Sequence, residues 1–178
     1  RVKPALGTGR SLIENERPIV RKETLISLSS IFGSAKFGIA SGSKFKTAQY
    51  ILGSLTDYFN PKAMIFLDDV EREQDEMLKR TWEMTNLKKP NAFSLLEAAK
   101  GLTPFKAVLY VSDSIEDALM AKEGKKSDPR FMFAGVYQYS GLEDTLLQSF
   151  LKARADVILP SVNELPLLLE ELKEEEKI

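Results

Sequence analysis

Apolar residues in this chain occur in two arrangements, short runs and longer periodic segments. The short runs are bounded by turn residues and are too short for ordinary helices, which predicts buried strands over residues 37–40, 64–67, 107–111, 131–136 and 157–159. The longer segments repeat apolar side chains at helical intervals, which predicts helices over residues 24–32, 44–55, 92–100, 115–123, 142–153 and 162–172, with a further helix between Asp69 and Leu87.

The regular alternation of strands and helices predicts an α/β fold, with a mainly parallel sheet and helices on both of its faces. In such sheets, ligands bind beyond the carboxyl ends of the strands. Small, polar and acidic residues are concentrated at these positions, in Ser41-Gly42-Ser43, Asp68-Asp69, Ser112-Asp113-Ser114 and Gln138-Tyr139. We therefore expect the functional site among these residues.

Composition narrows the chemistry that this site can perform. The 178 residues, 43% hydrophobic and 29% charged, are typical of one globular domain and exclude a disordered chain. A net charge of −1 gives no indication of a nucleic-acid partner, and no apolar run is long enough to predict a membrane span. The chain contains neither Cys nor His, which excludes thiolate and imidazole catalysis and fits a cytoplasmic location. Catalysis must then use carboxylates, lysine, hydroxyls or a hard cation such as Mg²⁺.

Two carboxylates, Asp113 and Asp117, follow the strand predicted over residues 107–111. A spacing of four residues places them near one another at the start of the next helix. Mg²⁺ is commonly held by one or two carboxylates together with water and a substrate phosphate, so this pair is a candidate metal site. The alternative is that Asp113 caps the helix and Asp117 is a surface charge.

Two further positions suit an anion. Ser41 and Gly42 join the first predicted strand to a helix, where a hydroxyl and backbone N–H groups together can bind a phosphate. The alternative there is a simple N-cap by Ser41 or Ser43. Lys89 precedes Pro90 at the entry to another helix, and can reach a phosphate or neutralise buried carboxylates. The alternative for Lys89 is an ordinary surface loop lysine.

The order of these features resembles three sequence motifs of the haloacid dehalogenase-like (HAD) phosphohydrolase superfamily. The second, third and fourth motifs of that family are similar to the segment from Phe37 to Gly42, to Lys89-Pro90 and to the segment from Tyr110 to Asp117. The family's closing segments are similar to residues 134–136, 155–158 and 163–166, so that the resemblance covers residues 19–172.

The resemblance implies a three-layer Rossmann-like fold and a Mg²⁺-dependent phosphohydrolase that acts on a small phosphorylated metabolite through an aspartyl-phosphate. It implies that Ser41 and Gly42 bind the phosphoryl oxygens, and that Lys89 binds the phosphoryl group and neutralises charge. Asp113 and Asp117 would hold the Mg²⁺. This assignment suits phosphoryl transfer, which depends mainly on positioning and charge stabilisation.

The sequence departs from the family at its first motif, an apolar strand ending in Asp-x-Asp that supplies the nucleophile. No Asp-x-Asp occurs in this chain; Asp68-Asp69 has the wrong spacing, and we interpret it as a loop after a strand. The chain also begins Arg1-Val2-Lys3, without Met. We therefore expect the C-terminal part of a longer protein, with residues 1–18 as the end of a cap or linker and residues 19–178 as a partial core domain.

The absent strand occupies a central position in the family's sheet. Its absence leads to a prediction about the strands on either side. Two inner strands, over residues 36–40 and 107–111, would each expose an unpaired edge. We expect either that a strand from the missing N-terminal segment of the same protein fills this gap, or that the sheet is visibly broken. A smaller departure is Ser112, where family members often carry Gly; we expect this replacement to be tolerated.

Two other functions remain open on the sequence alone. The absence of Asp-x-Asp favours a non-catalytic relative, a HAD-like phosphate-binding or interaction domain that keeps only the fold. A phosphoacceptor similar to response regulators also has carboxylates at strand ends, but its acidic residues belong near the first strand, and the sequence has none there.

Overall fold

The computed structural model describes residues 17–34, 36–138 and 140–175 of the chain. Within these ranges the helices are α1 Lys22–Phe32, α2 Phe45–Leu52, α3 Leu67–Thr81, α4 Phe93–Lys100, α5 Ile115–Ser127, α6 Glu143–Ala153 and α7 Leu165–Glu175. The strands are β1 Ile39–Ala40, β2 Met64–Ile65, β3 Val108–Ser112, β4 Phe131–Val136 and β5 Val157–Leu159, with short 3₁₀ helices at Gly53–Tyr58, Pro61–Ala63 and Val162–Glu164. The cap or linker predicted over residues 1–18 lies almost entirely outside the described residues, as does Tyr139.

The strands form two separate parallel sheets. One contains β1 and β2, with Ala40 opposite Ile65, and the other contains β3, β4 and β5 in that order. In the second sheet Tyr110 lies opposite Phe133, and Ser112 opposite Gly135. Over the described ranges no pairing joins β1 to β3, so the sheet is broken at the position where a break was predicted. The fold is α/β and consistent with a Rossmann-like arrangement.

Helices α4, α5 and α6 pack with the strands around one hydrophobic core. The most deeply buried large side chains are Met120 on α5, Phe131 on β4 and Phe150 on α6. Gly135 on β4 permits the close approach of α6, because a Cβ at this position would lie 2.5 Å from the ring of Phe150. The core therefore fixes the second sheet against the two helices that begin beyond its carboxyl edge.

The strand predicted over residues 64–67 ends at Ile65, and α3 begins directly afterwards. The Asp69 carboxylate accepts a hydrogen bond from the Phe66 amide at 2.9 Å, and Asp68 also lies in the first turn. Acidic side chains stabilise a helix N-terminus because they satisfy its N–H groups and complement its dipole. The prediction of a loop at Asp68-Asp69 is therefore wrong.

The helix predicted over residues 44–55 ends earlier, at Leu52. Gly53 follows with φ of +53°, a backbone conformation that glycine adopts more readily than other residues, and the chain continues as a 3₁₀ helix. None of the helices in the described ranges has the length and apolar character needed to cross a lipid bilayer.

Candidate functional site

The residues predicted to bind phosphate meet at one small cavity beyond the carboxyl ends of the strands. Ser41 and Gly42 follow β1, and Lys89 lies in the loop that precedes α4. All three line a cavity of about 340 Å³, together with Leu67, Val70, Lys88, Ser94 and Glu116. Four segments that are distant in the sequence therefore converge on the cavity.

Ser41 and Gly42 form an open turn between β1 and α2. The Ser41 amide donates to Ile65 on the neighbouring strand at 2.9 Å, and the Ser41 hydroxyl accepts from the Ser43 amide at 3.1 Å. A Cβ added to Gly42 would meet no atom within 4 Å, so a ligand has space beside this backbone. The N-cap position of α2 is Lys44, which makes no side-chain cap, so the alternative of a simple N-cap by Ser41 or Ser43 is not observed.

Not every amide at this turn is available to an anion. The Phe45 amide donates to the Asp68 carboxylate at 2.7 Å, so one N–H at the start of α2 already has an anionic partner from α3. The anion-binding capacity of the turn is therefore smaller than the sequence suggests. It rests on the Ser41 hydroxyl and on the backbone around Gly42.

Lys89 and Asp117 form a buried ion pair next to the cavity. The Lys89 ammonium lies 2.5 Å from Asp117 Oδ1, and their side chains are only 17% and 7% exposed. Removing one partner of a buried pair costs about 3–5 kcal/mol, because the remaining charge is left without compensation. Lys89 is therefore not a surface loop lysine, and the pair joins the entry of α4 to α5.

The other oxygen of Asp117 has a different partner. Ser112, the last residue of β3, donates its hydroxyl to Asp117 Oδ2 at 2.5 Å. Asp117 Oδ1 is buried and receives no hydrogen bond of good geometry, although Lys89 lies close enough for electrostatic attraction. Each carboxylate oxygen of Asp117 therefore has a close polar neighbour, the Lys89 ammonium at Oδ1 and the Ser112 hydroxyl at Oδ2.

The alternative reading of the two carboxylates is not observed. Ser114 is the N-cap of α5, where its hydroxyl accepts from the Glu116 amide at 3.2 Å, so Asp113 is not the cap. Asp113 is exposed at the end of β3, whereas Asp117 is buried and so is not a surface charge. The two carboxylates occupy different environments, one open to solvent and one enclosed.

Tyr110 begins the segment that resembles the fourth motif, but sequence reasoning assigned it no role in the site. Its hydroxyl donates to the carbonyl of Ala40 at 2.9 Å and accepts from the Lys89 ammonium at 3.2 Å. Burial, reinforced by the negative charges of Asp117 and Asp113, holds the pKa of Tyr110 far above its usual value of 10.0. The hydroxyl therefore keeps its proton at neutral pH and remains a donor to Ala40.

Lys88 has surroundings unlike those of its neighbour. Its ammonium pairs with Glu71 of α3 at 3.1 Å, and both side chains are almost half exposed. Exposed pairs of this kind contribute little to stability. Both lysines line the cavity, and Lys89 is the one that pairs with Asp117; the sequence leaves open which of the two faces the site.

The carboxylates fit a magnesium ion that is shared with a ligand. No group of three or more His, Cys, Asp or Glu residues among the described positions could enclose a metal ion. Mg²⁺ does not need such a cage, since it usually keeps several waters and uses one or two carboxylates plus phosphate oxygens. Asp113 is exposed, and Asp117 Oδ1 is contacted by the Lys89 ammonium, with which an ion would have to share this oxygen. The two carboxylates could supply that donor set, although neither lines the cavity itself.

A larger groove lies outside this region. It has a volume of about 1010 Å³ and contains none of the residues predicted to bind phosphate or metal. Its walls include Asp68 and Asp69, which follow the second predicted strand, together with Phe45, Phe59 and Phe66. We assign the site to the smaller cavity because Ser41, Gly42 and Lys89 meet there and Asp117 pairs with Lys89.

No family model, curated protein or solved structure matches this chain. The functional assignment accordingly rests on the residues and their geometry.

Proposed function

We propose that this chain is part of a Mg²⁺-dependent phosphohydrolase that acts on a small phosphorylated metabolite through an aspartyl-phosphate. The nucleophilic aspartate would come from a segment upstream of this chain. The observation that carries the proposal is that Ser41, Gly42 and Lys89 line one cavity, and that Lys89 forms a buried ion pair with Asp117. A cavity of about 340 Å³ also suits a small substrate.

In this proposal the phosphoryl group is bound by residues from both sides of the cavity. The Ser41 hydroxyl and the Gly42 backbone donate to its oxygens, and the Lys89 ammonium compensates its charge. An ammonium that is only 17% exposed attracts an anion more strongly than one in water, because the surrounding dielectric is lower. The low exposure of Lys89 therefore suits charge stabilisation.

Asp113 and Asp117 would hold the magnesium ion. When bound, the ion neutralises charge on the phosphate oxygens. The hydrogen bond from Ser112 fixes the orientation of the Asp117 carboxylate, as hydrogen-bonded partners commonly do for metal ligands. The Lys89 ammonium would then share the Asp117 carboxylate with the ion.

The missing strand is part of the same proposal. Among the described residues, strands β1 and β3 each have an edge without a strand partner. The Ala40 carbonyl at the end of β1 accepts a hydrogen bond from the Tyr110 hydroxyl of β3. An added parallel strand would complete a single three-layer sheet with helices on both faces. Its carboxyl end would emerge between Ser41 and Asp113, where an aspartate nucleophile is required.

A second candidate is a non-catalytic HAD-like domain that binds phosphate or a partner. The observation in its favour is that the sequence contains no Asp-x-Asp. The hydrolase and the phosphate-binding form of this second candidate both predict phosphate binding by this chain, whereas a pure interaction domain does not. The first two differ in whether the natural full-length protein releases phosphate from an ester.

Calorimetric titration with inorganic phosphate tests the site in either case. We expect binding in the presence of Mg²⁺, and a loss of about tenfold or more in affinity for Lys89→Met, since a hydrogen bond to a charged group contributes about 1.5–3 kcal/mol. Asp117→Asn is expected to remove the enhancement by Mg²⁺. Lys79→Met, which removes an exposed lysine on α3, is the matched control and should bind like the wild type.

Absence of phosphate binding by the wild-type chain, or equal affinities for Lys89→Met and Lys79→Met, would contradict the assignment of the site. Turnover is then measured on the natural full-length protein with p-nitrophenyl phosphate and Mg²⁺. Release of phosphate that depends on Lys89 supports the hydrolase, whereas binding without release favours the non-catalytic domain.

A further inference from the structure

A continuous chain of polar contacts crosses the gap between the two sheets. It begins at the Ala40 carbonyl on β1, passes through the Tyr110 hydroxyl on β3 to the Lys89 ammonium, and ends at the Asp117 carboxylate. Tyr110 is the member that joins the two sheets, since its backbone belongs to β3 and its hydroxyl is bonded to β1.

We propose that Tyr110 is a positioning residue. Its hydroxyl holds the Lys89 ammonium at a fixed position relative to the turn that contains Ser41. This inference rests on the proposed function, in which Lys89 and Ser41 bind one phosphate. Tyr110 begins the segment that resembles the fourth motif, but the resemblance assigns this residue no function.

The reason for the proposal is the connectivity of the hydroxyl. Ala40 immediately precedes Ser41, so a bond to the Ala40 carbonyl ties Tyr110 to the phosphate-binding turn itself. The same oxygen accepts a hydrogen bond from the Lys89 ammonium, which therefore has a second fixed partner besides Asp117. Two groups that come from different parts of the fold are thereby held at a fixed separation before a ligand arrives.

Packing alone does not require the hydroxyl. The Tyr110 ring packs at a tilt against Phe133, with ring centroids 6.3 Å apart, and the Lys89 ammonium lies 5.9 Å from the ring centre. A phenylalanine would keep both contacts. Tyr110→Phe therefore removes only the hydrogen bonds, and separates a positioning role from a packing role.

The experiment combines lysine ¹⁵N spectroscopy with phosphate titration. Hydrogen bonds slow proton exchange of a lysine ammonium, and the signal of Lys89 is assigned by its absence in Lys89→Arg. In Tyr110→Phe we expect this signal to shift or broaden, and the dissociation constant for phosphate with Mg²⁺ to rise about fivefold, as expected for one lost hydrogen bond. Tyr50→Phe, the same change at an exposed position, should alter neither quantity.

An unchanged Lys89 signal in Tyr110→Phe would overturn the inference, even if the variant were less stable. A hydroxyl with a purely structural role would change the stability of the protein and leave the Lys89 signal unchanged. A shifted signal with unchanged phosphate affinity would also overturn it. Failure of the proposed function is seen separately, as an absence of phosphate binding by the wild-type chain.

A second measurement covers the case in which Tyr110→Phe does not fold. With 3-fluorotyrosine incorporated in place of tyrosine, the ¹⁹F resonance of Tyr110 is assigned from phenylalanine variants at the other tyrosines. We expect this resonance to move in Lys89→Met and to remain in place in Lys79→Met. An unmoved resonance in Lys89→Met would contradict contact between the two groups.

Discussion

At the scale of single residues, the site depends on a few polar groups whose environments differ sharply between neighbours. Lys88 is half exposed and pairs with Glu71, whereas Lys89 is enclosed and pairs with Asp117. The sequence indicated Lys89 because it precedes Pro90. It could not indicate Tyr110, because the contact of its hydroxyl with Ala40 joins residues 70 positions apart.

Ser112 shows the same limit of sequence reasoning. The comparison with the family suggested only that a serine is tolerated there. In the structure its hydroxyl donates to the Asp117 carboxylate and accepts from the Ser114 amide at 3.3 Å. Ser112, which the family resemblance suggested was merely tolerated, therefore orients the buried carboxylate of Asp117.

This contact leads to a prediction for stability. Ser112→Ala should lower the free energy of unfolding by about 1–3 kcal/mol, because a buried acceptor then loses its partner. Urea denaturation measures the change. Ser30→Ala, which removes an exposed hydroxyl bonded to the Ser27 carbonyl, is the control and should change stability by less than about 0.5 kcal/mol. Equal effects of the two substitutions would show that the Ser112 contact contributes nothing.

At the scale of elements, strands β4 and β5 begin and end where the apolar runs predict, at residues 131–136 and 157–159. Boundaries were predicted less well where a polar contact ends an element. Strand β2 stops at Ile65 because Asp69 caps the following helix, and α5 extends to Ser127, four residues beyond the predicted end at 123. The spacing of apolar residues predicts where a helix or strand lies. It carries no information on the hydrogen bonds that determine the residue at which the element ends.

Asp156 links three elements, and so gives a prediction that depends on pH. Its carboxylate accepts from Lys125 of α5 at 2.7 Å and from the Phe133 amide of β4 at 2.8 Å, just before β5 begins. Burial opposes ionisation, but these hydrogen bonds outweigh it and hold the pKa of Asp156 below its usual 3.8. The folded state therefore favours the charged carboxylate.

A lowered pKa stabilises the fold above the pKa of the unfolded chain, and this contribution is lost as the pH falls through the folded value. Asp156→Asn should cost about 1 kcal/mol at neutral pH, since the ion pair itself is partly exposed. The difference from the wild type should shrink progressively below about pH 4. Unfolding in urea at several pH values measures it, with the exposed Asp75→Asn as control; a difference that stays constant with pH would contradict the assignment.

At the scale of the whole molecule, the central feature is a sheet in two parts with the candidate site where they face each other. The alternation of strands and helices predicted the α/β class, and the missing motif predicted the break between β1 and β3. The sequence could not predict the polar contacts that connect the two sheets across the break. These contacts are made by side chains from separate elements, namely Tyr110, Lys89 and Asp117.

The most direct test of this account is an amide ¹H–¹⁵N map of the chain titrated with inorganic phosphate in the presence of Mg²⁺. We expect the largest shifts at residues 41–43, 88–89 and 112–117, which contain or adjoin the cavity-lining residues Ser41, Gly42, Lys88, Lys89 and Glu116. Shifts confined to the larger groove around Phe45, Phe59 and Phe66, or no shifts at millimolar phosphate, would contradict the central claim that phosphate binds where the two sheets face each other.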